Sequence, residues 1–233
     1  REWFVWAQTA AYFTVMVVSF ILVIRRGGVS KVRPAAAVLK SIIITGLPFA
    51  LVAFSMTLYW RIDTVLIERL LPEGAMQAGI YAQAFRLFDA IAMFPVMFGG
   101  LLLPIMSKEI AAGNNIAPLA SMAGRMLLAP LGIGAVTLAT FPGEILDLLY
   151  HAPSPAAISA FMVLMLTLVP VGAVYIFSTM LTAAGRLKIL GLITLAGMTV
   201  NILMNLILIP AFSAAGAAYT VFCTQILVSL ACI

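Results

Sequence analysis

Charge is scarce in this chain, and that scarcity excludes most protein classes. Of its 233 residues only 9% are Asp, Glu, Lys or Arg, and there is one His and two cysteines. A water-exposed globular surface needs about 25–35% charged residues, so little of this chain is wrapped in water. Cys223 and Cys232 lie in the same final apolar run, about nine residues apart, off a common helical face. No disulfide framework follows from them. No glycine-rich nucleotide loop, His/Cys cluster or Ser/His/Asp set occurs in the sequence, so no cofactor, metal or catalytic group is expected. The formal net charge of +5 comes mostly from basic residues that gather in and around short loops. That pattern fits membrane topology and anionic headgroups, not nucleic acid.

What the chain does contain is hydrophobic sequence: 64% of residues, with a mean hydropathy of +1.17. A bilayer core of about 30 Å needs roughly 20 apolar residues per helix. Seven runs meet that length: Trp3 to Ile24, Ser41 to Leu70, Ala78 to Met106, Ala120 to Phe141, Ala157 to Leu181, Ile189 to Ile209 and Ala214 to Ile233. They are continuous, without the alternation that a transmembrane barrel requires. The expected fold class is therefore all-α, a polytopic transmembrane helix bundle of about seven spans.

Turn signals separate the runs at Gly27-Gly28, Pro72-Glu73-Gly74, Gly113-Asn114-Asn115, Pro142-Gly143, Pro153-Ser154-Pro155, Gly185 and Pro210. Basic residues gather in alternate loops: Arg25, Arg26, Lys31, Arg33 and Lys40, then Lys108 and Arg125, then Arg186 and Lys188. The positive-inside rule makes those loops cytoplasmic, with residue 1 outside and residue 233 inside. The first run is not a signal peptide, because its basic residues follow it and no small-residue cleavage site appears. The start without Met and the end within an apolar run lead us to expect part of a longer protein.

Within this apolar background, Arg61, Asp63, Arg86 and Asp89 fall at membrane depth, where ionisable groups are costly and face a bundle interior or a wet cavity. With the fold point of a hairpin near Glu73-Gly74, Arg61 and Arg86 each lie roughly 18 Å from the turn. Arg86 and Asp89 share a helical face. An Asp63 to Arg86 bridge between the second and third spans is the simplest pairing. Two readings stay open: the charges cancel in pairs and lock the spans together, or an arginine meets a phosphate in a cavity. Asn201 and Asn205 lie one turn apart on the sixth span, either bonding between helices or lining a sugar site with Tyr175, Ser178, Thr179 and Gln225. Pro48, Pro95, Pro104, Pro130 and Pro170 fall inside spans and permit kinks. His151, beside Pro153, reads as a solvated loop residue.

The order of several short motifs adds to this. Leu39-Lys40-Ser41 leads into Gly46-Leu47-Pro48-Phe49, followed by Arg61-Ile62-Asp63-Thr64-Val65-Leu66-Ile67 and Gly79-Ile80-Tyr81-Ala82-Gln83-Ala84-Phe85-Arg86-Leu87. Leu103-Pro104-Ile105-Met106-Ser107, Leu148-Leu149-Tyr150 and Leu181-Thr182-Ala183-Ala184-Gly185-Arg186 come next, then Asn201-Ile202-Leu203-Met204-Asn205, Leu208-Ile209-Pro210 and Ala214-Ala215-Gly216-Ala217-Ala218. In that order they resemble the second half of the polysaccharide flippases, the O-antigen and exopolysaccharide repeat-unit translocases of the multidrug/oligosaccharidyl-lipid/polysaccharide exporter superfamily.

The resemblance implies two six-helix lobes around a cavity that opens to each side in turn. Residues 1–24 would then be the last helix of the first lobe, 25–40 a basic cytoplasmic linker and 41–233 the second lobe, with the N-terminal lobe missing. It implies a bacterial inner-membrane transporter, not an enzyme, that moves an undecaprenyl-diphosphate-linked oligosaccharide for lipopolysaccharide or exopolysaccharide biosynthesis. Its expected partners are that lipid-linked sugar, the bilayer and a coupling ion, proton or sodium. Arg61, Asp63, Arg86, Asp89, Asn201 and Asn205 are the candidate substrate-binding residues. The alternatives are a multidrug or cation antiporter using Asp63 or Asp89 as its ion-coupled carboxylate, and a membrane glycan polymerase or ligase. Short outer loops, the longest near Pro142 to Ala156, speak against the last.

Overall fold

Backbone N–H and C=O groups find no water in a bilayer core, so a spanning chain closes its hydrogen bonds within helices. The computed structural model describes residues 2–25, 36–151 and 153–233. Every regular element among them is a helix: α1 (Glu2–Arg25), α2 (Ala36–Leu70), α3 (Gly74–Ala111), α4 (Ala117–Thr140), α5 (Pro142–Tyr150), α6 (Pro155–Ala183) and α7 (Leu187–Ala231). The chain divides into two compact units, Arg1–Thr45 and Gly46–Ile233. The first holds α1 and the opening turns of α2. Most of the expected linker, residues 26–35, lies outside the described residues.

Among the described residues α3, α4, α6 and α7 are long and apolar enough to cross a membrane, with shorter apolar stretches at Trp6–Leu22 and Val38–Leu47. The 45 residues of α7 would extend about 67 Å as one straight helix, twice a bilayer core. The chain instead turns back at Ser213, whose φ of 54° and ψ of −135° break the helix between residues 187–212 and 214–231. Pro210 withholds a helix donor just before the break. A Cβ on Gly216 would strike the Leu208 carbonyl oxygen, so the return is possible only with glycine there. Gly197 and Val228, about equidistant from Ser213, then face one another across the two limbs. Seven apolar runs thus become α1, α2, α3, α4, α6 and the two limbs of α7, as the hydropathy and turn signals imply.

In the second unit, α6 sits against α3, α4, α5 and α7. Its Ala160, Phe161, Leu164, Met165, Leu168 and Val171 are fully enclosed. Apolar burial gives little net drive between helices in lipid, so close packing must hold them. Gly172 supplies one such contact: a Cβ there would come within 2.7 Å of Leu131 on α4. The outer faces carry Leu101, Ile133, Leu192 and Ile207, all exposed and apolar, as a lipid-facing surface should be. One expectation needs correction: Pro142 to Ala156 is not simply loop. Pro142–Tyr150 forms α5, with Pro142 at its first turn and Leu146 buried, because the Ile145, Leu146, Leu148 and Leu149 side chains give a short helix an apolar side. His151, with φ 53°, ends that helix and is exposed.

Candidate functional site

The α2–α3 hairpin builds the site. Glu73 adopts the left-handed conformation (φ 56°) ahead of α3, and a Cβ on Gly74 would collide with the Glu68 carbonyl oxygen. This tight turn sets α2 and α3 side by side. The described buried residues of α2 are Ser55, Tyr59, Asp63 and Ile67, one every four residues, so they form a single stripe along its inner face. Asp63 is only 1% exposed. Its carboxylate accepts a hydrogen bond from Asn205 Nδ2 at 2.6 Å, and Asn205 Nδ2 also donates to Asn201 Oδ1 at 3.1 Å. Tyr81 on α3 directs its hydroxyl to Asp63 Oδ2 at 3.5 Å, the outer limit of a hydrogen bond.

Other buried hydroxyls in the bundle are satisfied locally. Thr167 donates to the Val163 carbonyl at 2.8 Å, Thr220 to Gly216 at 3.0 Å and Thr224 to Thr220 at 2.7 Å, the usual way a hydroxyl is hidden in an apolar helix. Among the described residues, the buried side-chain atoms left without partners are Tyr59 Oη, Gln77 Oε1, Asn201 Nδ2 and Asn205 Oδ1. Tyr59 is one turn from Asp63, Gln77 one turn from Tyr81, and Asn201 and Asn205 contact the cluster directly. Unsatisfied polar atoms are therefore concentrated around Asp63, where an unpaired buried polar group is costly. Carboxylate, amide and phenol oxygens converge there, a donor set suited to a hard cation.

Arg86 takes no part in this cluster. It is exposed, and among the described residues no ion pair joins it to Asp63. The expected Asp63 to Arg86 bridge is thus replaced by an amide and a phenol. Helical geometry explains why: Arg86 is about 140° around α3 from Tyr81, which occupies the face toward α2.

Arg61 and Asp89 come together elsewhere. Both line an open groove of about 330 Å³ with Thr57, Trp60, Met93 and Tyr175. Trp60 is held by stacking on Phe88 (centroids 5.6 Å apart) and by edge contacts to Phe85 (6.2 Å) and Tyr59 (6.3 Å). A second, smaller cavity of about 40 Å³ lies inward of the groove, lined by Ser55, Tyr59, Thr194 and Gln225. Trp60 and Tyr175 line both spaces.

The six expected site residues therefore separate into three settings: Asp63, Asn201 and Asn205 in a buried cluster, Arg61 and Asp89 in a groove, and Arg86 on an exposed flank. Tyr81 was missed, although its nearly equal distance from the hairpin turn on the opposite strand of the hairpin could have paired it with Asp63. Tyr59 and Ser55 were missed too, and their four-residue spacing from Asp63 was the available signal. Of the companions suggested for the asparagines, Gln225 and Tyr175 line the small cavity. Ser178 instead turns back to the Tyr175 carbonyl at 3.4 Å, and the Thr179 hydroxyl lies beside Gly99.

The fold is that of transporters of the MOP superfamily. It superposes on a MOP superfamily transporter from Pyrococcus furiosus Vc1 (DSM3638) with a TM-score of 0.67 at 21% identity, covering 82% of this chain and 43% of that one. It likewise superposes on a multidrug resistance MATE family transporter of the MOP superfamily, solved in an outward-facing conformation, with a TM-score of 0.68 at 20% identity and the same 82% and 43% coverage. This chain thus spans less than half the length of either. Residues 3–109 match the family described as polysaccharide biosynthesis protein. No curated protein matches it in sequence.

Proposed function

We propose that this chain forms part of an alternating-access transporter that carries lipid-linked oligosaccharide repeat units, on undecaprenyl diphosphate, across the bacterial inner membrane for cell-surface polysaccharide biosynthesis. In this reading no bond is made or broken. The observation that carries it is the groove in which Arg61 and Asp89 stand beside Trp60 and Tyr175. A planar guanidinium suits a diphosphate by paired charge-assisted hydrogen bonds. The aromatic rings offer apolar faces with polar edges, a surface for sugar rings that are themselves apolar on one face. Arg61 and Asp89 sum to zero charge, so net attraction for an anionic lipid must come from the rest of the transporter.

Asp63 serves the coupling ion in this reading. Its oxygen-rich, under-satisfied surroundings favour sodium, while a proton would need only the carboxylate. The test is uptake of a fluorescent lipid-linked oligosaccharide by the complete transporter in proteoliposomes, with sodium and proton gradients imposed separately. Arg61→Ala should slow translocation, and Asp63→Asn should remove the gradient's effect. Unchanged turnover in both variants would sink the reading. A multidrug or cation antiporter is the second reading, supported by the buried carboxylate and by the fold shared with a multidrug transporter. Gradient-driven efflux of a cationic dye without any lipid movement would favour it.

A further inference from the structure

α3 and α4 both pack on α6 but barely on each other. The gap between them is an apolar groove of about 210 Å³, walled by Phe98, Leu101 and Ile105 on α3 and by Leu119, Met122 and Met126 on α4. Two basic residues flank it. Lys108 is two residues from the buried Met106 and Arg125 is two from the buried Ala123 and Leu127, so at roughly 100° per residue each points away from the core. Both are exposed, and among the described residues neither forms an ion pair. The neighbouring carboxylate, Glu109, accepts instead from the Asn114 amide at 2.7 Å. Depth makes Arg125 the more demanding of the two. The 24 residues of α4 extend about 36 Å against a bilayer core of about 30 Å, so the Arg125 backbone, roughly 12 Å from the start of α4, lies within hydrocarbon. An unpaired guanidinium is costly at that level. Its Cα–Cβ bond tilts toward the helix N-terminus, so the long side chain reaches back to the end where Lys108 and the α3–α4 turn lie. Ser121, exposed one turn nearer that end on the same face, adds a hydroxyl.

We propose that the α3–α4 groove binds an anionic phospholipid of the leaflet on the Lys108 side, the cytoplasmic one by the positive-inside rule, with an acyl chain between the helices and the phosphate held by Lys108 and Arg125. Charge complementarity selects this occupant. A zwitterionic lipid would fill the apolar groove equally well, but its ammonium would stand beside two other cations. A second copy of this chain, meeting the groove across a two-fold axis, would bring four basic residues together. An anionic headgroup neutralises the pair instead, and its chain fills the space that α3 and α4 leave open. The site is distinct from the Arg61–Asp89 groove, because Asp89 lies roughly 28 Å from Lys108 along α3. The lipid bound here is therefore a resident of the bilayer and not the transported molecule. The proposal requires only that the bundle spans a membrane, and it stands apart from the reading of Asp63 and of the substrate.

The test reconstitutes the complete transporter in phosphatidylcholine vesicles that carry a trace of phosphatidylglycerol with a photoactivatable diazirine in its acyl chain, and adducts are mapped by peptide mass spectrometry. Phosphatidylcholine with the same diazirine is the control. The phosphatidylglycerol probe should label residues 98–105 and 119–126 in preference to Ile133, Leu192 and Ile207 on the other exposed faces, and unlabelled phosphatidylglycerol should compete it away. The phosphatidylcholine probe should show no such preference. Lys108→Gln and Arg125→Gln should each lower the preference about fivefold, the effect of one basic residue at a membrane surface, and together they should abolish it. Arg125→Lys should keep most of it, which separates loss of charge from a disturbed fold. Met122→Trp, which fills the groove, should lower phosphatidylglycerol labelling with both basic residues in place. Equal labelling by the two probes, or a phosphatidylglycerol preference that survives Lys108→Gln and Arg125→Gln together, overturns the proposal. Exclusion of both probes from the groove by a second copy of the chain, seen as a crosslinked dimer, overturns it as well.

Discussion

The Asn205 amide donates to Asp63 Oδ1 at 2.6 Å and thereby ties α2 to the first limb of α7 across 142 residues of sequence. The contact is fully buried, and the Asn205 oxygen is left without a partner. That hydrogen bond holds the hairpin against the core.

Removing that amide should be costly. Asn205→Leu strips the carboxylate of its one short hydrogen bond, and bonds to charged groups contribute about 1.5–3 kcal/mol. The thermal midpoint of the complete transporter in detergent should fall accordingly. In an Asp63→Leu background the same Asn205→Leu change should cost much less, because no stranded carboxylate remains. Equal losses in both backgrounds would show that the pair does not interact in this way.

Arg86 and Asp63 should behave as strangers. Since Asp63 is paired to an amide and Arg86 is exposed on another flank, the stability losses of Asp63→Ala and Arg86→Ala should add within about 0.5 kcal/mol. A thermal-stability cycle with both single variants and the double variant checks it. A coupling well above that value would restore the ion pair.

These two cases also mark what the residue order could and could not reveal. The all-α membrane bundle and its seven apolar runs were legible because a bilayer demands long uninterrupted hydrophobic sequence, and because Pro210 and Glu73-Gly74 are local turn signals. Depth was legible as well, since rise per residue converts position to height along a hairpin. Rotation was not. Arg86 and Asp63 lie at similar depth, yet which side of α3 faces α2 is settled by Tyr81, Phe85 and Phe88 packing inward, and that depends on the neighbouring helices. The partnership of Asp63 with Asn205 was hidden for the same reason, although each was singled out as a polar residue in an apolar helix. α5 was overlooked because a nine-residue helix shorter than a span gives no hydropathy signal.

Arg61 should act through its shape as well as its charge. If its guanidinium meets a diphosphate in the groove, Arg61→Ala should raise the apparent KM for a lipid-linked oligosaccharide by about tenfold, and Arg61→Lys should recover only part of the loss because a point charge cannot bond in parallel. Initial rates of flipping in proteoliposomes, measured over a range of substrate concentrations, give the comparison. Full recovery by lysine would reduce the role of Arg61 to electrostatic attraction alone.

The two limbs of α7 offer a test of the fold itself. A Cβ on Gly197 would stand 2.5 Å from Val228 Cγ2, so Gly197→Ala forces the limbs apart unless that methyl moves. Overpacking of this kind typically costs about 1–3 kcal/mol. The obstruction is the end of a side chain and not backbone, so Val228→Ala should relieve it, and Gly197→Ala/Val228→Ala should be more stable than Gly197→Ala alone. At Gly216 the obstacle is the Leu208 carbonyl, which no side-chain change can remove. Gly216→Ala should therefore prevent the reversal at Ser213 in every background, read out as loss of the folded monodisperse peak in detergent. Rescue of Gly197→Ala but not of Gly216→Ala would establish that α7 is a closed helical hairpin whose limbs meet where Gly197 and Val228 do.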